Sequence, residues 1–400
     1  MRTLPGSPER ARHPGAALSV RWRRLVASGL IAWAFAAQAG PGVHADRIVL
    51  GQSAKLSGAS GTLAGVQYRA GLLLAFDQVN REGGVHGRRI ELVSLDDRID
   101  PVRARANTRE LIERVGVLAM IGSTFSNTVL GALPVLAEHG VPLIAPYTGV
   151  GDLYTGRHPL VFMLRASFDD ELSAIVRHLG TVGYRRVGIV HYAIPMGDAL
   201  ANDLRRRLAA IAQGLAQVLP MALASPDPAA AAAPVIAGAA VHCVDLMLLG
   251  VSGRDAAEVI RGLRTRCPGT QFIARSLVDP IMLRKELGEH STGIMLTQVV
   301  PNAARGEHPL VKGYRSLLAR RQPPSTMDPT EFEGYLAGQF MIAALRQAGP
   351  QLDRDALIQA LEHTAIDGPD HYRLRFARGE RVATRYVNIV MLADGQRWVD

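Results

Sequence analysis

The stretch Val117–Gly149, VLAMIGSTFSNTVLGALPVLAEHGVPLIAPYTG, constrains the fold more than any other part of this chain. Two short apolar runs, Val117–Ile121 and Val141–Ala145, carry no charge and are closed by Gly or Pro. Runs of that kind suit parallel strands covered on both faces. A turn of small hydroxyl residues and a helix separate them, and a second small polar turn follows. Both turns then emerge at the carboxyl edge of one sheet, where open α/β sheets take ligands. Ser123, Thr124 and Ser126 are therefore expected beside Tyr147, Thr148 and Gly149 at one rim. Free amides at the start of the helix after Ser126 favour an acidic group. The rim reads as half of a site for a small anionic or zwitterionic molecule, with no catalytic group in it.

The amino terminus reads separately. Arg21, Arg23 and Arg24 precede the apolar run Leu25–Ala37, and Ala37-Gln38-Ala39 and Val43-His44-Ala45 offer cleavage sites. That is the layout of a secretory signal peptide, and the run falls short of the roughly 20 apolar residues of a spanning helix. Residues 1–45 are expected to be removed on export to the periplasm, with the cut after Ala45 preferred. The length of 400 residues allows two or three domains, and the apolar content of 48% a sizeable core.

The formal charge of +9 loses five units with that segment, leaving +4. Only Lys55, Lys285 and Lys312 are lysines, and the arginines are scattered. Nucleic-acid binding needs a concentrated basic patch interleaved with aromatics, so no such partner is expected. Cys243 opens one expected strand and Cys267 precedes the next. Successive parallel strands are usually neighbours, so the two residues form either a disulfide, suited to an oxidising compartment, or two buried thiols. Neither a C-x-x-C nor an H-E-x-x-H spacing occurs, so no metal site is expected.

Along the chain, strands are expected at 47–54, 90–95, 117–121 and 141–145, with helices over about 66–81 and 101–114 between them. The rhythm restarts after Arg165: helix 170–179, strand 187–191, helix 198–212, an Ala-rich helix within 226–240, strand 244–249, helix 255–264, strand 271–274 and strand 293–299. A long helix follows at 330–348, and the tail after Asp367 alternates through 385–392 as strands do. The fold class is α/β, with two Rossmann-like, doubly wound lobes.

Several ordered segments resemble the type I periplasmic binding proteins, most closely the branch near the branched-chain amino-acid-binding (Leu/Ile/Val-binding) proteins of ABC transporters. They are NREGGVHGRRIELVSLDD from Asn80, DPVRARANTRELI from Asp100, GVPLIAPYTG from Gly140, TQVVP from Thr297 and EFEGYLA from Glu331. The resemblance covers roughly 47–392. It implies two lobes joined by a three-strand hinge that close on a solute, with crossovers near Arg165, Gln298 and Gly349. Lobe 1 would then be 46–165 plus 298–349, and lobe 2 166–297 plus 350–400. The resemblance also implies a solute-binding receptor, a monomer, that delivers an amino acid or small carboxylate to an inner-membrane ABC permease without a cofactor. A ligand-sensing module of the same fold is the alternative.

By this resemblance the ligand's carboxylate is held by Ser126 and the turn Tyr147–Gly149, with Thr124 alongside and the loop Leu56–Gly65 covering the ligand. In lobe 2 the matching turns hold Tyr192, Ser252 and Ser276. Amino-acid binders of this type carry a glutamate where this chain has Ser276, and an aromatic where it has Ser252-Gly253. A buried ammonium without a carboxylate partner costs several kcal/mol. The carboxylate half of the site therefore looks kept and the amine half altered, with Asp279 the nearest substitute anchor. Ser126 alone also reads as a helix N-cap, and Asp96-Asp97 as a helix cap or hinge feature, since adjacent strand-end residues point apart. Glu333 reads as structural. No G-x-G-x-x-G, P-loop or G-x-S-x-G pattern is present, so an enzyme is not expected.

Overall fold

The computed structural model describes residues 40–57, 63–223, 225–321 and 327–393, together with the backbone of 398 and 399. Most of the expected leader, and residues 58–62 of the Leu56–Gly65 loop, lie outside the described residues.

The first half runs β1 (Arg47–Ala54), α1 (Ala64–Arg81), β2 (Arg89–Asp96), α2 (Pro101–Glu110), β3 (Ala119–Ile121), α3 (Ser126–Glu138), β4 (Leu143–Ile144) and β5 (Val161–Phe162). Its strands are parallel and lie in the order β2-β1-β3-β4-β5. Alternation along each strand divides the side chains between two cores. Ile48, Leu50, Ala119 and Ile121 face α1, whereas Val49, Met120 and Leu143 face α2 and α3. The uncharged runs are uncharged because neither face of this sheet meets water.

The chain then crosses to a second half: α4 (Phe168–Val182), β6 (Val187–Tyr192), α5 (Pro195–Ala210), β7 (Leu215–Met221), α6 (Pro228–Val241), β8 (Leu246–Gly250), α7 (Gly253–Arg266), β9 (Gln271–Ala274), α8 (Pro280–Leu287) and β10 (Met295–Gln298). It returns through α9 (Pro309–Ala319), α10 (Pro329–Ala348), α11 (Arg354–His363) and the hairpin β11 (Ala365–Asp367)–β12 (Arg373–Arg375). It ends in β13 (Asn388–Leu392) and β14 (Trp398–Val399). The second sheet is ordered β14-β13-β10-β9-β8-β6-β7, with the last two strands of the chain antiparallel. Cys243 and Cys267 form a disulfide, with Cα atoms 5.6 Å apart; β8 and β9, which they precede, are indeed neighbours.

α1 and α10 pack with almost no space between them. A β-carbon on Gly71 would fall 1.9 Å from the Glu331 carbonyl oxygen, and one on Gly334 2.1 Å from that of Tyr68. Only glycine allows this approach.

One expected boundary needs correction. Leu357, Leu361, Tyr372, Leu374 and Phe376 join the core that holds α1 and α10, while Val390 and Leu392 join a core of the second sheet. The segment 350–383 therefore packs with the first half, and the third crossover falls between Ala383 and Asn388 rather than near Gly349. At the amino end, residues 40–45 are bound into the body. Val43 is buried and bridges Ile48, and the Val49 amide donates to the Gly42 carbonyl at 2.8 Å.

Candidate functional site

In a sheet ordered 2-1-3-4-5 the strand order reverses between β1 and β3, and a crevice opens there at the carboxyl ends. Residues that leave those two strands meet at this point: the Lys55 amide donates to Thr124 Oγ1 at 3.2 Å. The adjoining turn is held by a bridge between Thr124 and Tyr147, with the Tyr147 amide donating to the Ser123 carbonyl at 2.8 Å. Ser126 and Thr148 are thereby brought together, their hydroxyls 2.8 Å apart. The Val150 amide also donates to Thr148 Oγ1, at 3.2 Å. Two hydroxyls that share one hydrogen bond retain a second O–H proton to donate elsewhere. Both turns hold a non-glycine residue in the left-handed region, Phe125 at φ 69° and Ala145 at φ 51°. Strain of this kind collects at functional sites.

Phe125, with no side-chain hydrogen bond, is the N-cap of α3. The capping role read for Ser126 is thus corrected: its side chain turns to Thr148. Tyr147 is sealed at 2 % exposure, its ring between Tyr68 (5.3 Å) and the Arg165 guanidinium (4.7 Å), its hydroxyl 3.3 Å from Thr330 Oγ1. Burial drives its phenol pKa upward. Gly149 is held where a side chain would collide, a β-carbon there lying 2.5 Å from Cδ1 of Phe168.

The second sheet has its own reversal, between β6 and β8. Tyr192 and Ser252 leave those strands and meet: the Ser252 amide donates to the Tyr192 hydroxyl at 3.2 Å, and that hydroxyl donates to Asp255 at 2.8 Å. Burial pushes the Tyr192 phenol up to about 12. Among the described residues, no hydrogen bond joins this pair to Ser126 or Thr148.

Ser276 belongs to a third group, a buried charge network between the halves. Its amide and hydroxyl donate to Glu171 at 2.8 and 2.9 Å, and Arg165 Nη2 donates to its hydroxyl at 2.5 Å. Thr297 also donates to Glu171, and Glu333 lies 3.4 Å from Arg165 Nη1. Burial pushes the Glu333 carboxyl up to about 7 even though Arg165 pulls it down. Burial works against the charge on Arg165, but Glu333, Tyr147 and Glu171 outweigh it and raise its pKa. Nε and Nη1 of this buried guanidinium lack hydrogen-bond partners. A buried carboxylate, Glu171 of α4, is therefore present beside Ser276, but Ser276, Thr297 and Arg165 occupy it.

Asp279 is likewise committed. It caps α8, accepting from the Ile281 and Met282 amides at 2.9 and 3.1 Å, and faces Gln67 of the first half at 3.5 Å. Gln67 also donates to Asp328, whose carboxyl burial and the nearby Asp279 raise to about 7. Asp96 and Asp97 cap no helix, because Asp100 caps α2. Asp96 accepts from the Leu56 and Ser57 amides and so anchors the start of the loop at 56–65. Asp97 accepts from Ser53 and the Ile99 amide.

Between the halves, a cavity of only about 20 Å³ is lined by Tyr147, Thr330 and Glu333 on one side and Ser276, Pro280 and Thr297 on the other. A small-molecule site needs some hundreds of Å³, so the halves must part to admit one. The larger concavity, about 930 Å³, lies on the outside of the β11–β12 hairpin and contains none of these residues. Arg165, Glu171, Thr297 and Gln67 were missed from the sequence as site residues. Their one linear signal is a lone charge ending the apolar run Leu160–Leu164.

A model of the family described as "Periplasmic binding protein" matches residues 47–396. The chain is 27% identical over 190 residues to an amino acid binding protein of Pseudomonas aeruginosa, a match spanning 46% of this chain and half of that protein. It is 22% identical over 310 residues to the Leu/Ile/Val-binding protein of Escherichia coli, spanning 76% and 81% of the two chains. The structure superposes on a substrate-binding periplasmic protein of Ralstonia solanacearum with a TM-score of 0.78 at 26% identity, covering 86% of this chain and 97% of that one.

Proposed function

Because the chain belongs to the periplasmic binding protein family, we propose that it is the extracytoplasmic receptor of an ABC importer, exported by its leader and capturing a small carboxylate between its halves. The observation that carries this reading is the Ser126–Thr148 hydroxyl pair at the β1/β3 reversal. It stands beside the first turn of α3, whose amides lack a preceding turn to bond. Hydroxyl and amide donors gathered at a helix start suit an oxyanion.

The ligand class narrows on the second half. The carboxylates near the cleft are already in use: Glu171 by Ser276 and Thr297, Glu333 by Arg165, Asp255 by Tyr192, Asp279 by its helix. An α-ammonium buried there would lack a counter-ion, at a cost of several kcal/mol. The reading is a carboxylic acid without an α-amino group, handed on to an inner-membrane permease by a monomeric receptor.

A thermal-shift screen of the mature chain against acids and amino acids tests it, since a ligand specific to the folded form raises Tm by mass action. Calorimetry on S126A/T148V is then expected to show at least a tenfold loss of affinity for any hit, or about 1.4 kcal/mol. Unchanged affinity in that variant would remove the rim from the site.

A further inference from the structure

Arg275 follows β9 at its carboxyl end, and the next residue, Ser276, lines the small cavity between the halves. Its guanidinium carbon stands 4.5 Å from the centroid of the Phe168 ring. That ring in turn rests on the Thr148–Gly149 turn: the Phe168 amide donates to the Gly149 carbonyl at 2.8 Å, and Phe168 Cδ1 fills the space of a missing β-carbon on Gly149. One aromatic ring therefore separates this cation from the turn that carries the Thr148 hydroxyl.

The guanidinium has no hydrogen bond or ion pair with any described residue. Glu171, the carboxylate nearest in charge, already accepts from Ser276 and Thr297 and lies 3.6 Å from Arg165. Burial and the neighbouring Arg165 lower the pKa of Arg275, while Glu171 raises it; an arginine still keeps its charge across the physiological range. Stacking on Phe168 fixes the plane of the fork and leaves its edge free to meet an oxyanion. A half-buried cation that no carboxylate of the described residues pairs directly is a site for an anion from outside the protein.

We propose that Arg275 is a specificity-determining residue of the cleft, selecting acids that carry no ammonium and disfavouring zwitterions. The inference rests on the cleft reading above and deepens it. The oxyanion is drawn to the rim hydroxyls from one half and to Arg275 from the other as the halves close. An α-ammonium on the same ligand would be brought towards a like charge, with no free carboxylate to offset it.

Matched ligands test this directly. Calorimetry on the mature chain compares 4-methylpentanoate with leucine and glutarate with glutamate, each pair differing by one ammonium. The wild type is expected to bind at least one acid at least tenfold more tightly than its amino-acid partner. R275Q should weaken that acid at least tenfold and narrow the ratio within the pair, and R275K should restore part of both. Because Arg275 makes no hydrogen bond, R275Q loses only the stacking on Phe168 and is expected to fold with at most a small fall in melting temperature. A wild-type preference for leucine or glutamate overturns the assignment, as does an R275Q variant with unchanged affinity and ratio. S126A/T148V separates the two readings. If it loses all binding while R275Q loses none, only the role of Arg275 fails. If it loses none, or if no acid binds the wild type, the cleft reading fails with it.

Discussion

At Gly149 the space for a β-carbon is already taken by the Phe168 ring. G149A would set the first-half rim against the first residue of α4. Overpacking of this kind costs about 1–3 kcal/mol, and the strain is relieved by parting the halves. The expected outcome is a lower melting temperature together with a larger radius of gyration in solution scattering; an unchanged radius would place the relief elsewhere. Residues like this show which parts of the site the sequence displays. Ser126 and Thr148 were readable because each lies in a turn whose position follows from the strands around it. Tyr147 lies in the same turn, but its burial between Tyr68 and Arg165 depends on chain segments far away. Arg165, Glu171 and Glu333 come from three such segments, so no local pattern unites them.

Several helices were legible from a start signal standing next to a periodic run. Asp100-Pro101, Asp227-Pro228, Asp279-Pro280 and Asp328-Pro329 each begin a helix, the Asp side chain accepting from first-turn amides and the Pro occupying a position that needs no N–H. The same signal marks α8, which the strand-centred reading passed over; α9 and α11 were also missed. β7 was passed over for a different reason. Pro220 interrupts its run, and a proline is tolerated there because β7 is the edge strand, paired only with β6. The disulfide closes a loop of 24 residues in the second half. Its removal in C243S/C267S should cost about 3 kcal/mol in the chain-entropy model, read as a lower denaturant midpoint with an unchanged first half. Residues 40–45 belong to the body, through Val43 and the Gly42 carbonyl. Mass spectrometry of the exported protein is therefore expected to find Gly40 at the amino terminus, after Ala37-Gln38-Ala39. A start at Asp46 would contradict this and leave the packing around Ile48 and Val49 incomplete.

On the scale of the molecule, buried carboxyls dominate the response to pH, with Asp97, Asp328 and Glu333 shifted furthest. Burial raises Asp97 to about 6 and Asp328 and Glu333 to about 7. Each holds its proton in the folded chain at pH values where the unfolded chain has released it. Their contribution to stability is therefore complete below pH about 4 and is lost as pH rises through about 6 to 7. Asp96 acts oppositely: burial disfavours its charge, but bonds from Ser57, Leu56 and Arg98 bring it to about 2, so its contribution fades only in stronger acid. The melting temperature is expected to be higher at pH 5.5 than at pH 8. E333Q, which fixes a neutral side chain, should flatten that slope; a melting temperature that rises towards pH 8 would show that the charged forms are better accommodated than their burial implies. The space between the halves has a kinetic consequence. At about 20 Å³ it admits no solute, so each exchange of cargo waits for the hinge to swing. Stopped-flow uptake should therefore level off at high solute concentration, at a plateau rate that belongs to the protein and is the same for every solute it accepts.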